Sequence, residues 1–192
     1  MLSRVKGSII KVLLPLLDIL AKFNVKPNHL TFLGLIFGFF ASYLLMKGEL
    51  VMGAIFIIMS GFMDVLDGAL ARVKGMVTEL GAFLDSVSDR YVDIMIYVAL
   101  GLSGVDWFLI ALAMSGSLMV SYTRARAENI IERCDVGIAE RGERLIIIAI
   151  GLITGYIWHA ILVVAILSHI TAIHRIIYTY RRVKNKQFKV NY

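Results

Sequence analysis

The chain has one cysteine, Cys134, and two prolines, Pro15 and Pro27, in 192 residues. A lone cysteine excludes an intrachain disulfide and offers no thiolate cluster for zinc. With so few prolines, helices can run long without interruption. Charge is scarce as well: charged residues make up 18% of the sequence against 59% hydrophobic, and mean hydropathy is +0.80. That balance excludes an ordinary soluble domain and fits a single all-α, polytopic membrane domain spanning residues 1–192. The net charge of +6 is better explained by positive loops on a membrane protein than by nucleic acid, because Lys and Arg bias which loops stay cytoplasmic. No cleavable signal peptide is evident, since the basic N-terminus leads into periodic rather than continuous apolar positions. No internal repeat is visible either, so the inverted symmetry of many transporters finds no support.

What the sequence does have is apolar length. Ile9, Val12, Leu13, Leu16, Leu17, Ile19, Leu20 and Phe23 recur at helical spacing, with Lys11, Asp18 and Lys22 between them. This predicts an N-terminal amphipathic interfacial helix over about residues 3–23, lying at the membrane surface. Six transmembrane helices are then predicted at roughly 30–46, 51–72, 79–101, 106–128, 141–157 and 159–180, each near the ~20 residues that cross the hydrocarbon. The connections around 47–50, 102–105 and 155–158 hold one basic residue, Lys47. The opposite side holds Lys22, Lys26, Lys74, Arg124, Arg126, Arg133 and Arg141, with Arg181, Arg182, Lys184, Lys186 and Lys189 in the tail. The asymmetry predicts a multi-pass cell-membrane protein with both termini cytoplasmic. Glycines 34, 38, 53, 61, 101, 116, 151 and 155 are expected to permit close helix packing, some of them on the face of a homodimer.

Against this apolar background, residues 64–89 read DVLDGALARVKGMVTELGAFLDSVSD. Asp64 and Asp67 are three apart, on one face near the cytoplasmic end of the second span; Asp85 and Asp89 are four apart, on one face near the start of the third. The two spans are antiparallel neighbours joined by a short turn, so the pairs can face each other. Four such carboxylates repel one another unless cations neutralise them. An all-oxygen set suits a hard divalent ion, Mg²⁺ or Mn²⁺, and two ions sharing the cluster would make the arrangement used for phosphoryl transfer. Gly68, Gly81 and the small Ala71 leave room for a ligand or a neighbouring helix. Arg72, about one turn from Asp67, can bind a phosphate oxygen pair.

The pattern D-x-x-D-G-x-x-A-R-x8-G-x3-D-x3-D, matched here by Asp64, Asp67, Gly68, Ala71, Arg72, Gly81, Asp85 and Asp89, resembles the signature of the CDP-alcohol phosphotransferases. The resemblance implies a CDP-linked diradylglycerol whose pyrophosphate sits on two metals, attack by an alcohol on the β-phosphate, and departure of CMP. It further implies that Asp64 and Asp85 bridge both ions, that Asp67 completes one and Asp89 the other, and that Asp89 is the general base. Gly68, Arg72, Thr78 and the segment Asn28, His29, Leu30 and Thr31 would line the CDP-lipid site, although Asn28 and Thr31 are also ordinary helix-start residues.

A second stretch, SYTRARAENIIERCDVGIAERGERLIII at 121–148, gathers arginines at the cytoplasmic ends of spans four and five. Arg124 and Arg144, joined by Arg175 of the sixth span, could point into the cavity that holds the acids, and a cationic pocket there suits an acceptor that carries its own phosphate. The stretch resembles the S-Y-x-[KR]-A-R-A-E and E-R-P-E-R-L-I segments of the phosphatidylinositol-phosphate and archaetidylinositol-phosphate synthases. By that resemblance the acceptor is an inositol phosphate, held by Arg124, Arg144 and Arg175; the sequence departs from the pattern at Gly142, where proline is usual. Asp93, one turn beyond Asp89, reads as a supporting residue or an arginine's partner and is left out of the metal set. Two alternatives stand beside this reading: the same chemistry with glycerol phosphate or serine as acceptor, and a divalent-cation or proton transporter using the acids as a pathway.

Overall fold

The computed structural model describes residues 2–190, with side chains from Val12 to Asn185. Ile9 and Lys11 of the first helix and the tail's Lys186 and Lys189 therefore lie outside the described side chains. Seven helices follow in order: α1 (Leu2–Lys22), α2 (Pro27–Met46), α3 (Leu50–Val73), α4 (Glu79–Leu102), α5 (Trp107–Ala127), α6 (Arg141–Thr154) and α7 (Ile157–Val190). There is no strand among the described residues.

Local chemistry sets the boundaries. Pro27 opens α2 after an extended Lys26, where its missing N–H costs nothing and its fixed φ is already helical. Thr78 caps α4 by accepting from the Gly81 N–H at 3.0 Å, and Asp106 caps α5 by accepting from the Leu109 N–H at 2.9 Å. Gly155, in the left-handed region at φ 78°, ends α6 after 14 residues. No atom lies within 4 Å of where its Cβ would be, so this glycine is a helix terminator rather than the packing residue expected of it.

Four helices, α2, α3, α5 and α7, are long and apolar enough to cross a membrane. The other two predicted spans differ for physical reasons. The stretch of α4 from Glu79 to Asp93 carries five charged residues, Glu79, Asp85, Asp89, Arg90 and Asp93, and α6 stops short at Gly155.

The main core packs Ala41 and Leu45 of α2, Ala54 and Ile57 of α3, Val92 and Ile96 of α4, Ile110 of α5, Ile148 and Leu152 of α6, and Ile161 of α7. A second, smaller cluster docks α1: Leu17 is fully buried against Leu30, Leu66, Ala69 and Leu70. Asp18 takes the Lys74 ammonium at 2.7 Å beside it. Leu13 and Leu20 are half-buried against the same cluster, while Val12, Ile19 and, just past the helix, Phe23 stay exposed.

Glycines let the helices approach. A Cβ on Gly38 would lie 2.6 Å from Val92 Cγ2, one on Gly53 2.6 Å from Leu45 Cδ2, and one on Gly151 2.4 Å from Ala160 Cβ. Gly34, Gly61, Gly101 and Gly116 likewise face atoms of this same chain. The glycine rows are thus occupied within one molecule, which removes them as the expected homodimer face. Hydroxyls add interhelical bonds: Ser60 donates to the Gly34 carbonyl at 2.8 Å, and the Tyr97 and Ser117 oxygens lie 2.7 Å apart. In an apolar surround such bonds and close contacts, rather than hydrophobic exclusion, hold helices together.

Candidate active site

The N-terminal ends of α2, α4 and α6 meet the C-terminal end of α3, and all four signature aspartates lie there. Oxygens of Asp64, Asp67 and Asp85 are within 4.8 Å of one another. Asp67 is buried, and its Oδ2 accepts from the Thr31 hydroxyl at 2.6 Å. Asp85 Oδ1 is buried without a hydrogen-bond partner. Asp89 stands slightly apart, with Oδ1 2.8 Å from Arg141 Nη1 and Oδ2 3.8 Å from Arg90 Nη1.

This donor set fits a hard divalent cation. Mg²⁺–oxygen bonds of about 2.0–2.1 Å put opposed ligand oxygens about 4 Å apart and neighbouring ones about 3 Å apart, so the three carboxylates need to close by at most about 2 Å. The orphaned Asp85 oxygen lacks only a partner to accept from, and an unpaired buried oxygen is otherwise costly.

Two hollows share these acids. A small one of about 10 Å³ lies among Asp64, Asp67, Asp85, Asp89, Ser88 and Arg141. A cavity of about 310 Å³ opens beside it, sharing Thr31, Asp67 and Asp85 and walled by Asn28, Gly68, Ala71, Arg72, Thr78 and Gly81. Its floor depends on missing side chains: a Cβ on Gly81 would sit 2.8 Å from Thr78 Oγ1 and 3.2 Å from Asn28 Oδ1, and one on Gly68 would meet Arg72 Nη1 at 3.0 Å. The structure therefore brings the predicted CDP-site residues together, apart from two. His29 is turned back to accept from the Lys26 N–H at 3.3 Å, and Leu30 is buried in the α1 docking cluster.

The arginines are arranged less simply. Arg124 and Arg175 converge on Glu140, at 3.9 and 3.7 Å. Arg124 also reaches Glu128 at 3.0 Å and Asp135 at 3.1 Å. Arg175 is fixed by donating to the carbonyls of Val136 at 2.8 Å and Val120 at 2.6 Å. Arg144 is almost wholly buried; it donates to Asp93 Oδ2 at 2.8 Å and to the Ala139 carbonyl at 3.2 Å. Arg175 is as deeply buried as Arg144, and none of the three arginines lines either hollow, so they do not point into the acids' cavity as expected. Thr171 of α7 anchors the intervening loop by accepting from the N–H groups of Ile138 and Ala139 at 3.2 and 3.1 Å.

Sequence reasoning missed Arg141. Its Nη1 lies 2.8 Å from Asp89 and 3.5 Å from Asp64, and its Nε 3.2 Å from Asp93. The signal was present, because Arg141 and Arg144 are three apart at the start of one helix and share a face.

The family model for CDP-alcohol phosphatidyltransferases matches residues 24–177, which contain all four signature aspartates, Asp93 and the arginines 72, 124, 141, 144 and 175. The chain belongs to the CDP-alcohol phosphatidyltransferase family. Among its relatives, the archaetidylinositol phosphate synthase of Methanothermobacter thermautotrophicus is 40% identical over 96% of both chains. That of Pyrococcus horikoshii is 40% identical over 92% of this chain and 95% of its own. A crystal structure of Mycobacterium tuberculosis phosphatidylinositol phosphate synthase with CDP-DAG bound superposes with a TM-score of 0.76 at 28% identity, covering 86% of this chain and 92% of the other. The same enzyme in complex with manganese and citrate gives the same TM-score. Gly142, where the resemblance predicts proline, is the second residue of α6, and a Cβ there would meet nothing within 4 Å. Proline would be accommodated there as well.

Proposed function

We propose that this chain moves the phosphatidyl-type group of a CDP-linked diradylglycerol, CDP-archaeol or CDP-diacylglycerol, onto an inositol phosphate and releases CMP, as a step of phospholipid biosynthesis. The observation that carries the proposal is the shared wall: Asp67 and Asp85 belong both to the acid cluster and to a 310 Å³ cavity lined by the signature's glycines and Arg72. A pyrophosphate in that cavity would reach the acids at one end and the Arg72 guanidinium at the other. The relatives named as archaetidylinositol and phosphatidylinositol phosphate synthases support the acceptor.

Two divalent cations, Mg²⁺ or Mn²⁺, would be held by Asp64, Asp67, Asp85 and Asp89 and would neutralise the pyrophosphate and the charge that develops on it. Thr31 orients Asp67 through its 2.6 Å hydrogen bond. Asn28, Gly68, Arg72 and Thr78 hold the nucleotide end, Gly81 and Ala71 keep its path open, and His29 and Leu30 support that wall from behind. Asp89 takes the proton of the acceptor hydroxyl as its oxygen bonds to the β-phosphorus and the bond to CMP breaks. Arg124 and Arg175 receive the acceptor's phosphate, exchanging Glu140 for it, while Arg144 fixes the loop beneath them through the Ala139 carbonyl.

The same proposal has the chain act as one membrane domain with six spans, α2 to α7, and α1 at the surface. The exposed Val12, Ile19 and Phe23 support the surface assignment. The excess of basic residues at the site end supports a cytoplasmic active site and cytoplasmic termini. A homodimer would form through lipid-facing apolar side chains such as those of Ile55 and Ile58 on α3, since the glycines are occupied. Supplying a CDP-lipid with inositol phosphate, glycerol phosphate, serine or free inositol and measuring CMP release tests the function. We expect inositol phosphate to support turnover; CMP release with glycerol phosphate and none with inositol phosphate would overturn the acceptor, and ion flux without CMP release the whole reading.

A further inference from the structure

Of the four signature acids, Asp89 is the one already engaged on both oxygens by cationic side chains. Its Oδ1 lies 2.8 Å from Arg141 Nη1, and its Oδ2 lies 3.8 Å from Arg90 Nη1. Arg141 is not free to swing away. Its Nε is fastened to Asp93 Oδ1 at 3.2 Å, and Asp93 Oδ2 is itself held by Arg144 Nη2 at 2.8 Å. Arg144 is fastened in turn to the Ala139 carbonyl at 3.2 Å. A chain of alternating charge, Asp89–Arg141–Asp93–Arg144, therefore runs from the acid cluster to the loop at Ala139 that precedes α6. The other three acids are arranged differently. Asp64, Asp67 and Asp85 present oxygens within 4.8 Å of one another, one of them buried and unpartnered. The group gathered for a cation is a triad, and Asp89 lies outside it, on a guanidinium.

We propose that Arg141 makes the two cation positions of the acid cluster unequal: the position on Asp64, Asp67 and Asp85 fills first, and the position that needs Asp89 fills only as Asp89 leaves Arg141. The inference rests on the two-cation reading above. Its physical basis is twofold. The ion pair between Arg141 Nη1 and Asp89 Oδ1, in a partly buried site, must be broken before Asp89 can turn to a metal. The guanidinium, kept in place by Asp93, also remains as a positive neighbour that repels the incoming cation. Asp67 and Asp85 have no arginine contact to break, and Asp64 has only a longer one, 3.5 Å, so although Arg141 lines the same hollow the first obstacle falls on Asp89.

The experiment is Mn²⁺ binding to the purified full-length protein in detergent, without substrate, followed by calorimetry and by the electron-spin-resonance signal of free Mn²⁺. The wild type should bind two Mn²⁺ with affinities separated by about tenfold or more, the scale of losing one partly buried ion pair. Arg141→Gln should leave the tighter site nearly unchanged and tighten the weaker one by about tenfold. Asp93→Asn, which loosens the anchor while keeping the guanidinium, should tighten the weaker site by less; it decides the matter if Arg141→Gln loses the tighter site through misfolding. Equal affinities in the wild type, or a weaker site unmoved in the variant that retains the tighter one, overturns the inference and leaves two-cation binding standing. A single Mn²⁺ in the wild type and in both variants overturns the two-cation reading, and the inference falls with it.

Discussion

The Thr31 hydroxyl is 2.6 Å from Asp67 Oδ2 and 3.3 Å from the Pro27 carbonyl of its own helix. The shorter bond is the charge-assisted one, so Thr31 works as part of the acid cluster as well as a residue near a helix start. Removing the partner of a metal-ligating carboxylate commonly lowers metal affinity or activity by about 10–100-fold. Thr31→Val should weaken Mn²⁺ binding on that scale with little loss of stability; unchanged binding in a titration would reduce Thr31 to a helix-start residue. Much of the residue-level site could be read from sequence, because Asp64, Asp67, Asp85 and Asp89 sit at helical spacings that force them onto two facing surfaces. Arg141 is only half legible: its spacing puts it on one face with Arg144, but that alone does not distinguish a guanidinium among carboxylates from one that merely marks a helix end. Arg144 shows the converse: its charge was legible, but its burial against Asp93 depends on how α6 packs on α4.

Between elements, Gly38 on α2 faces Val92 on α4, one turn beyond Asp89. A Cβ there would come within 2.6 Å of a Val92 methyl, and a β-branched side chain in a helix has one main rotamer to offer. Gly38→Ala should therefore push α4 from α2 and cost about 1–3 kcal/mol of overpacking. The expected drop in detergent melting temperature is about 2–4 °C per kcal/mol for a chain of this size. Because α4 carries Asp85 and Asp89, Mn²⁺ affinity should fall with it; an unchanged melting point would mean that the two helices have slack. Element boundaries in α2 to α5 follow the predicted spans closely, since Pro27, Thr78 and Asp106 announce their helices locally. The early end of α6 at Thr154 was less legible: Gly155 reads equally as a packing glycine or a terminator until its φ of 78° is known.

For the whole molecule, basic residues crowd the end that holds the acids, while the opposite connections carry Lys47 and are flanked by Trp107, Tyr156 and Trp158. The single cysteine, Cys134, is buried, so an engineered cysteine can be read almost without background. Lys184→Cys in intact cells should resist a membrane-impermeant maleimide until the cells are opened, as a cytoplasmic C-terminal end of α7 requires. Labelling from outside would invert the topology.

The 14 residues of α6 have a further consequence for where in the bilayer the reaction takes place. At 1.5 Å per residue they span about 21 Å, some 9 Å less than the hydrocarbon thickness of about 30 Å. Tyr156 and Trp158, exposed just past Gly155, are the kind of side chain that anchors at an interface, so the shortfall falls at the Arg141 end. In the proposed six-span arrangement, Arg141 and the acids it touches would sit in a well sunk below the headgroup plane. A CDP-lipid would reach such a well by dipping its headgroup inward, and a water-soluble sugar phosphate would have to descend to meet it. The short helix would then set the depth at which a molecule of the lipid phase and a molecule of the aqueous phase first touch.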